Sequence, residues 1–287
     1  MRSRNPVFSR EGSFTRDNQY AGFGTQPTGH QAYGNPYANN VYAQPGGQSL
    51  TDQQLAEMYG APAAGPAETG RMTLDDVVAR TAMTLLMLVA AGAVAWFVVP
   101  VENYALAGVA AFAAAIIGLV ISFKQSVNPA LILTYAGLEG FFLGAISKAL
   151  NTLLQGIAIQ AVLGTAAVFA ATLIAYKSGK IRVTPRYTRI GISIAIGFVI
   201  LMFVNVIATM LGADFGFRSG PLGIVVGLVG IALGAFFLTL DFHEVEEGVR
   251  YGAPEREAWR AAFGLTLSLV WIYLEMLRLI AILRGDD

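Results

Sequence analysis

Two apolar stretches near the end of the chain decide the fold: GIVVGLVGIALGAFFLTLDFHEVEEG (residues 223–248) and WRAAFGLTLSLVWIYLEMLRLIAIL (residues 259–283). Each is long enough to cross a bilayer, for which about 20 mostly apolar residues suffice. The first carries Asp241 near its end, and the second carries Glu275 and Arg278. An ionisable group in hydrocarbon costs roughly 2.5–3.5 kcal/mol. We therefore expect these side chains to face a polar interior, and the function to lie here.

The composition of the whole chain is that of a membrane protein. Of its 287 residues, 55% are hydrophobic and 13% are charged, whereas soluble domains carry about 25% charged residues. The 19 basic and 19 acidic residues balance, so a polyanionic partner such as nucleic acid is not indicated. Cysteine is absent from the sequence, which excludes disulfides, thiol catalysis and cysteine-ligated metals.

The chain divides into two parts at about residue 70. Residues 1–70 are rich in Gly, Pro, Gln, Asn and Tyr without apolar periodicity, which predicts a disordered cytoplasmic tail. Residues 71–287 predict an all-α domain, a bundle of seven transmembrane helices. Thr73 and Asp76 form a capping-box pattern at the start of the first helix. The predicted spans are 77–99, 104–123, 129–150, 157–176, 190–211, 221–242 and 259–283.

The orientation follows from the basic residues of the short loops, which remain in the cytoplasm. The loop between the fourth and fifth spans has five basic residues and no acid: Lys177, Lys180, Arg182, Arg186 and Arg189. Lys124, Arg71 and Arg80 agree with the same side. We predict a multi-pass membrane protein with a cytoplasmic N-terminus.

Glycines recur at helical spacing in two spans and indicate how the helices pack. They are Gly137, Gly140 and Gly144 in the third span, and Gly223, Gly227, Gly230 and Gly234 in the sixth. Glycine faces allow helices to approach closely in lipid. We interpret them as structural, and expect the third and sixth helices to be interior elements.

Three acids are predicted at or within the membrane. Glu139 is expected near mid-bilayer, Asp241 at the cytoplasmic end of the sixth helix, and Glu275 in the outer half of the seventh. They are not expected to form one compact cluster, although they can form a ladder along an interior path. Desolvation favours a neutral carboxyl, so Glu139 is open to a proton-titrating or a structural hydrogen-bonding role. Asp241 is open to proton sensing or to being a solvated helix end.

On the seventh helix, Ser268, Trp271, Glu275 and Arg278 recur three or four residues apart and share one stripe. The alternative to an ion path is that Glu275 and Arg278 neutralise each other as a buried structural pair.

Enzyme chemistry and metal binding are not predicted. His243 with Glu246 and Glu247 lacks the second histidine of a zinc-protease motif, and we interpret this stretch as a solvated turn. Only two histidines are present in the sequence, and no glycine loop with a lysine resembles a P-loop. We predict no enzyme activity and no cofactor, with calcium only as a transported ion.

Four stretches together resemble the Bax inhibitor-1/YccA family of seven-helix proteins. They are NPALILTYAGLEGFFLGAIS (128–147), FFLTLDFHEVEEGV (236–249), the charged turn after it, and LSLVWIYLEMLRLIAIL (267–283). The resemblance covers about residues 71–287 and leaves the tail outside. The opening MRSRNPVFS and the Gly/Tyr-rich tail look like the actinobacterial branch.

The resemblance implies an inner-membrane protein in which six helices surround the seventh. Family members resemble pH-sensitive calcium leak channels, in which aspartates of the sixth and seventh helices share a proton and a basic residue ending the second helix is a latch. Asp241 matches the sixth-helix aspartate, Ser268 stands at the seventh-helix position, and Lys124 is nearest to the latch. Two close carboxylates cannot both ionise at low cost, so protonation can move a gate.

This implies a pH-sensitive cation leak, with calcium as the transported ion, whose closed state depends on the ionisation of Asp241. The alternative is a non-transporting interaction protein that modulates a membrane-bound quality-control protease through its N-terminal tail. The lipid bilayer is the partner common to both.

Overall fold

The structure, a computed structural model, describes residues 70–100, 105–124, 127–212 and 219–285. These ranges contain seven helices, each long and apolar enough to cross a membrane. They are α1 (Leu74–Val98), α2 (Ala105–Lys124), α3 (Pro129–Leu153), α4 (Ile157–Lys177), α5 (Pro185–Met210), α6 (Gly220–Arg250) and α7 (Glu257–Gly285). The predicted all-α, seven-helix membrane fold is confirmed, whereas the predicted tail lies outside the described residues except for Gly70.

Helix α7 lies at the centre, as predicted. Its backbone packs against α1, α3, α4 and α6. It reaches α5 through Trp271, whose ring centroid lies 5.9 Å from that of Phe198. It reaches α2 through Phe263, which shares a buried cluster with Ile121. All six other helices therefore contact the seventh.

The glycine faces allow close helix packing, which confirms their structural role. A Cβ atom at Gly140 or Gly144 of α3 would collide with the α1 backbone at Leu88 or Gly92. On α6, a Cβ at Gly234 would collide with Ile272 of α7. Of the most apolar stretch of each helix, 50% is buried in α6 and 44% in α3, but only 11% in α1. The third and sixth helices are thus interior elements.

Helix α6 extends further than the sequence predicted. It was expected to end near residue 242 with Asp241 at its terminus, but it continues to Arg250. Its charged part retains an apolar face, since Val245 and Val249 pack with the same cluster as Leu238. The helix ends only before Gly252, whose φ of 68° is favourable for glycine at a helix C-terminus. The predicted turn around His243 is therefore helical.

Helix α5 begins at Pro185 rather than at the predicted residue 190. Thr184 caps it, accepting a hydrogen bond from the Tyr187 backbone N–H at 3.2 Å, and proline is well suited to the first helical position. The predicted capping box of α1 is confirmed, with Thr73 and Asp76 bonded reciprocally.

A short backbone bridge, here called the α1 anchor, joins residues 70–72 to residues 253–255 of the α6–α7 turn. The Met72 N–H donates to the Ala253 carbonyl at 2.8 Å, and the Glu255 N–H donates to the Gly70 carbonyl at 2.9 Å. The side chain of Arg80 pairs with Glu255. The starts of α1 and α7 and the end of α6 therefore lie together, at the end of the bundle that the loop charges predict to be cytoplasmic.

Candidate functional site

Asp241 lies well inside α6. It is nine residues before Arg250, which corresponds to about 14 Å at a rise of 1.5 Å per residue. Its side chain is half-buried. The prediction that Asp241 ends the helix is wrong, because the helix continues to Arg250, past the end of its uniformly apolar part.

Asp241 meets α7 at Ser268. The Ser268 hydroxyl donates a 2.5 Å hydrogen bond to Oδ2 of Asp241, and Ser268 itself is 6% exposed. One helical turn earlier, a Cβ added to Gly264 would come within 2.9 Å of Oδ1 of Asp241. Glycine at this position therefore leaves room for the carboxyl group against the central helix.

This arrangement holds one ionisable group rather than two. A carboxylate accepts hydrogen bonds with both oxygens, and a protonated carboxyl keeps acceptor capacity while gaining a donor. The serine hydroxyl is therefore compatible with both states of Asp241. Two carboxylates at this place would instead titrate as a coupled pair. The chemistry that the site supports is reversible protonation of a single half-buried aspartate that links α6 to α7.

Glu275 and Arg278 form a buried ion pair further along α7. The Arg278 Nη2 and Glu275 Oε2 atoms are 2.5 Å apart, and the two side chains are 12% and 13% exposed. The α6 glycines make room for this pair, because a Cβ at Gly230 would lie 2.7 Å from Cδ of Glu275. The glycine face of α6 thus accommodates charged side chains as well as close helix packing.

Trp271 lies on α7 between Ser268 and Glu275 and completes the predicted stripe. Its indole N–H donates a 2.9 Å hydrogen bond to the carbonyl of Gly230 on α6. Ser268, Trp271 and Glu275 all contact α6. These three side chains therefore join the central helix to α6, and Trp271 also reaches α5 through Phe198.

Glu139 lies on α3, ten residues after Pro129, or about 15 Å along the helix. It is half-buried. It follows by one turn Tyr135, whose ring packs edge-on against Phe263 of α7 with centroids 5.1 Å apart. Glu139 is about as far from the start of α3 as Asp241 is from the end of α6. Within the described ranges, no hydrogen bond joins Glu139 to Asp241.

Lys124, the residue nearest to the latch position, is the last residue of α2 and is exposed. In the part of the chain that the structure describes, no hydrogen bond or ion pair joins it to Asp241. The structure brings together Asp241 with Ser268 and Glu275 with Arg278; it does not bring Lys124 to either pair.

The comparison with family models identifies the chain. The model described as Bax inhibitor 1 like matches residues 5–285. The chain belongs to the Bax inhibitor 1 like family. No curated protein and no solved structure matches it significantly. The expectation that the tail lies outside the family similarity is wrong, since the Bax inhibitor 1 like match begins at residue 5.

Sequence reasoning missed two contacts that support the site of this Bax inhibitor 1 like chain. Gly264 faces Asp241, and its separation of four residues from Ser268 is a small-xxx-small signal that could have identified it. On the opposite side of α7, the Thr266 and Thr84 hydroxyls lie 3.0 Å apart and join α7 to α1. Neither threonine stands out in the sequence, because this pairing depends on helix packing.

The charged part of α6 contacts α4. The Tyr176 hydroxyl donates a 2.6 Å hydrogen bond to Glu246 and lies 3.5 Å from Nδ1 of His243. Among the described residues, no group of three or more His, Asp or Glu side chains is placed to hold a metal ion. The stretch around His243 therefore joins α6 to α4, at the end of the bundle that holds the α1 anchor.

Proposed function

We propose that this Bax inhibitor 1 like protein is a pH-sensitive cation leak channel, with calcium as the transported ion, whose closed state depends on the ionisation of Asp241. The observation that carries the proposal is the hydrogen bond from Ser268 to Asp241, which links α6 to the central helix through one half-buried ionisable group. Calcium is bound by oxygen ligands, which the carboxyl groups of Asp241 and Glu139 provide.

The switch follows from the strength of that hydrogen bond. An ionised carboxylate accepts a charge-assisted hydrogen bond, roughly twice as strong as a neutral one. Protonation weakens it and removes a negative charge, so the contact between α6 and α7 loosens. A local change of charge can bias two arrangements of packed helices in this way. The ionised state is the closed one, and flux rises as pH falls.

The ion pair supports Asp241 as the titrating group. Glu275 is compensated by Arg278 on the same helix, and separating such a buried pair costs about 3–5 kcal/mol. Asp241 and Glu139 have no ion pair among the described residues. Of the three acids predicted at or within the membrane, Asp241 and Glu139 are therefore the two that remain available for titration.

Calcium flux from liposomes tests the proposal. The wild-type protein, reconstituted in vesicles loaded with a calcium dye, should pass more calcium at pH 6 than at pH 8. Asp241→Asn should give the same high flux at both values, because its amide resembles the protonated acid. Asp75→Asn, a change at an exposed acid of α1, is the control and should keep the pH dependence. Equal flux at both pH values for wild type, or unchanged pH dependence in Asp241→Asn, would contradict the proposal.

The alternative proposal is a non-transporting role in which the N-terminal tail binds a membrane quality-control protease. It is supported by the family match, which extends into the tail. Deleting residues 1–69 should remove the protease from a pull-down while leaving calcium flux unchanged. Gly70 is retained because its carbonyl belongs to the α1 anchor.

A further inference from the structure

Helix α5 is the most loosely attached helix of the bundle. Among the described helices, its backbone packs against α6 alone. Between the two helices lies an apolar cavity of about 460 Å³ that is open to the outside of the bundle, here called the α5–α6 groove. Its walls include Tyr187, Ile190 and Ile194 of α5 and Val229, Ala232 and Phe236 of α6. This volume is within the range of small-molecule sites.

The groove has an apolar floor and one polar end. The Phe236 ring lies where a Cβ at Gly191 would otherwise be, so the two helices approach closely beneath it. Ile190 and Ile194 remain 55% and 51% exposed along its wall. At one end, the Tyr187 hydroxyl lies 3.0 Å from Oγ1 of Thr239 and joins the two helices. An unbranched hydrocarbon chain suits such a surface.

Basic residues lie close in sequence to the polar end. Arg186 and Arg189 flank Tyr187, and all five cations between residues 177 and 189 are exposed. That stretch contains no acid, and in the described part of the chain none of the five forms an ion pair. Arginine is well suited to phosphate groups, because its planar fork donates two hydrogen bonds at once. An apolar groove and a cluster of exposed basic residues therefore occur together at the start of α5.

We propose that the α5–α6 groove binds one acyl chain of an anionic phospholipid whose headgroup phosphate contacts the basic residues at the start of α5. A single lipid satisfies both halves of the surface. A free anion would leave the groove empty, and a zwitterionic phospholipid would be attracted less strongly, because its own cation offsets the charge of its phosphate. This site is independent of the proposed channel activity.

Native mass spectrometry of the detergent-purified full chain tests the site. The protein is titrated with phosphatidylglycerol and, separately, with phosphatidylcholine of identical acyl chains. One phosphatidylglycerol should bind at least fivefold more tightly than phosphatidylcholine. Ile194→Trp, which fills the groove, should weaken phosphatidylglycerol binding at least fivefold. Ile196→Trp is the matched control, since Ile196 is 56% exposed on the same helix but does not line the groove; its affinity should stay within twofold of wild type.

The charge contribution is tested separately. Arg189→Gln should weaken phosphatidylglycerol binding about fivefold, as expected for one basic residue near an anionic lipid surface. It should weaken phosphatidylcholine binding by less than about twofold, because the choline cation already offsets the charge of the phosphate. Arg256→Gln removes an exposed cation of the α6–α7 turn and should leave both affinities unchanged.

Any one of three results with the two lipids and the two tryptophan variants would overturn the proposal. They are equal affinity for the two lipids, equal effects of Ile194→Trp and Ile196→Trp, and displacement of the lipid by glycerol phosphate at the same concentration. The last would show an anion site without a chain-binding groove. If Ile194→Trp loses its helical circular dichroism, Ala232→Leu fills the groove from α6 and should give the same fivefold loss; unchanged affinity in that variant would also overturn the proposal.

Discussion

The hydroxyl of Ser268 on α7 donates a 2.5 Å hydrogen bond to the carboxyl group of Asp241 on α6. The family resemblance implies a second aspartate where this serine stands. A serine can bond to the carboxyl in either protonation state, whereas a second carboxylate would repel an ionised Asp241. The residue at position 268 therefore determines whether the contact titrates as one group or as a coupled pair.

Ser268→Asp should move the pH midpoint of calcium flux upward by about 1 unit. Two neighbouring carboxylates hold a shared proton to higher pH, because the second ionisation places like charges side by side. Flux from dye-loaded liposomes between pH 5 and 9 measures the midpoint. Ser268→Asn, similar in size and neutral, is the control and should leave the midpoint near that of wild type. A midpoint unchanged by the aspartate would show that position 268 does not act on the titrating group.

Gly264→Ala should destabilise the protein by about 1–3 kcal/mol, the usual cost of overpacking. The added Cβ would lie 2.9 Å from Oδ1 of Asp241, so the carboxyl group must move away from α7. Thermal unfolding in detergent measures the change. Gly197→Ala on α5 is the matched control, since its Cβ would meet nothing within 4 Å. Alanine should raise helix stability there by up to about 1 kcal/mol. Equal shifts in the two variants would argue against a tight fit around Asp241.

Gly144→Ala should be among the most damaging single-methyl changes in the bundle. Its Cβ would collide with the backbone of Gly92 on α1, and a helix backbone cannot rotate away as a side chain can. We expect a loss of about 3 kcal/mol, at the upper end of overpacking costs. Thermal unfolding compares it with Gly108→Ala on α2, whose Cβ would lie in open space. A Gly144→Ala protein as stable as the control would mean that α1 and α3 can separate freely.

Glu275→Gln and Arg278→Gln should each cost about 3–5 kcal/mol, because either change leaves one buried charge without its partner. The double variant should be more stable than the sum of the two losses implies. Unfolding measurements on the four proteins of this double-mutant cycle give the coupling free energy. Additive losses would mean that the 2.5 Å pair contributes no coupling to stability.

The number of helices, the central position of α7 and the glycine packing could be predicted from the sequence. The helix count and the glycine packing depend on repeated local signals, namely apolar stretches of sufficient length and glycines at helical spacing. The central position of α7 was instead implied by the family resemblance. The stripe on α7 could be predicted from a local signal, since residues three or four apart share a helix face.

The end of α6 could not be predicted from hydropathy, because charged residues mark the membrane boundary and not the helix boundary. Val245 and Val249 keep that part helical through packing with other elements. The start of α5 was missed although Thr184 and Pro185 carry a capping signal, since the apolar stretch begins later. The pairing of Asp241 with Ser268 depends on how two helices are placed against each other. Such a relation has no local sequence signal.

The α1 anchor has a mechanical consequence. Residues 70–72 are bonded to the α6–α7 turn, and the two helices that leave this turn carry Asp241 and Ser268. A pull on the chain ahead of Gly70 is therefore transmitted to the hairpin that holds the titratable contact, and not to the first helix alone. A protein that binds the N-terminal region would therefore exert force on that hairpin through the α1 anchor.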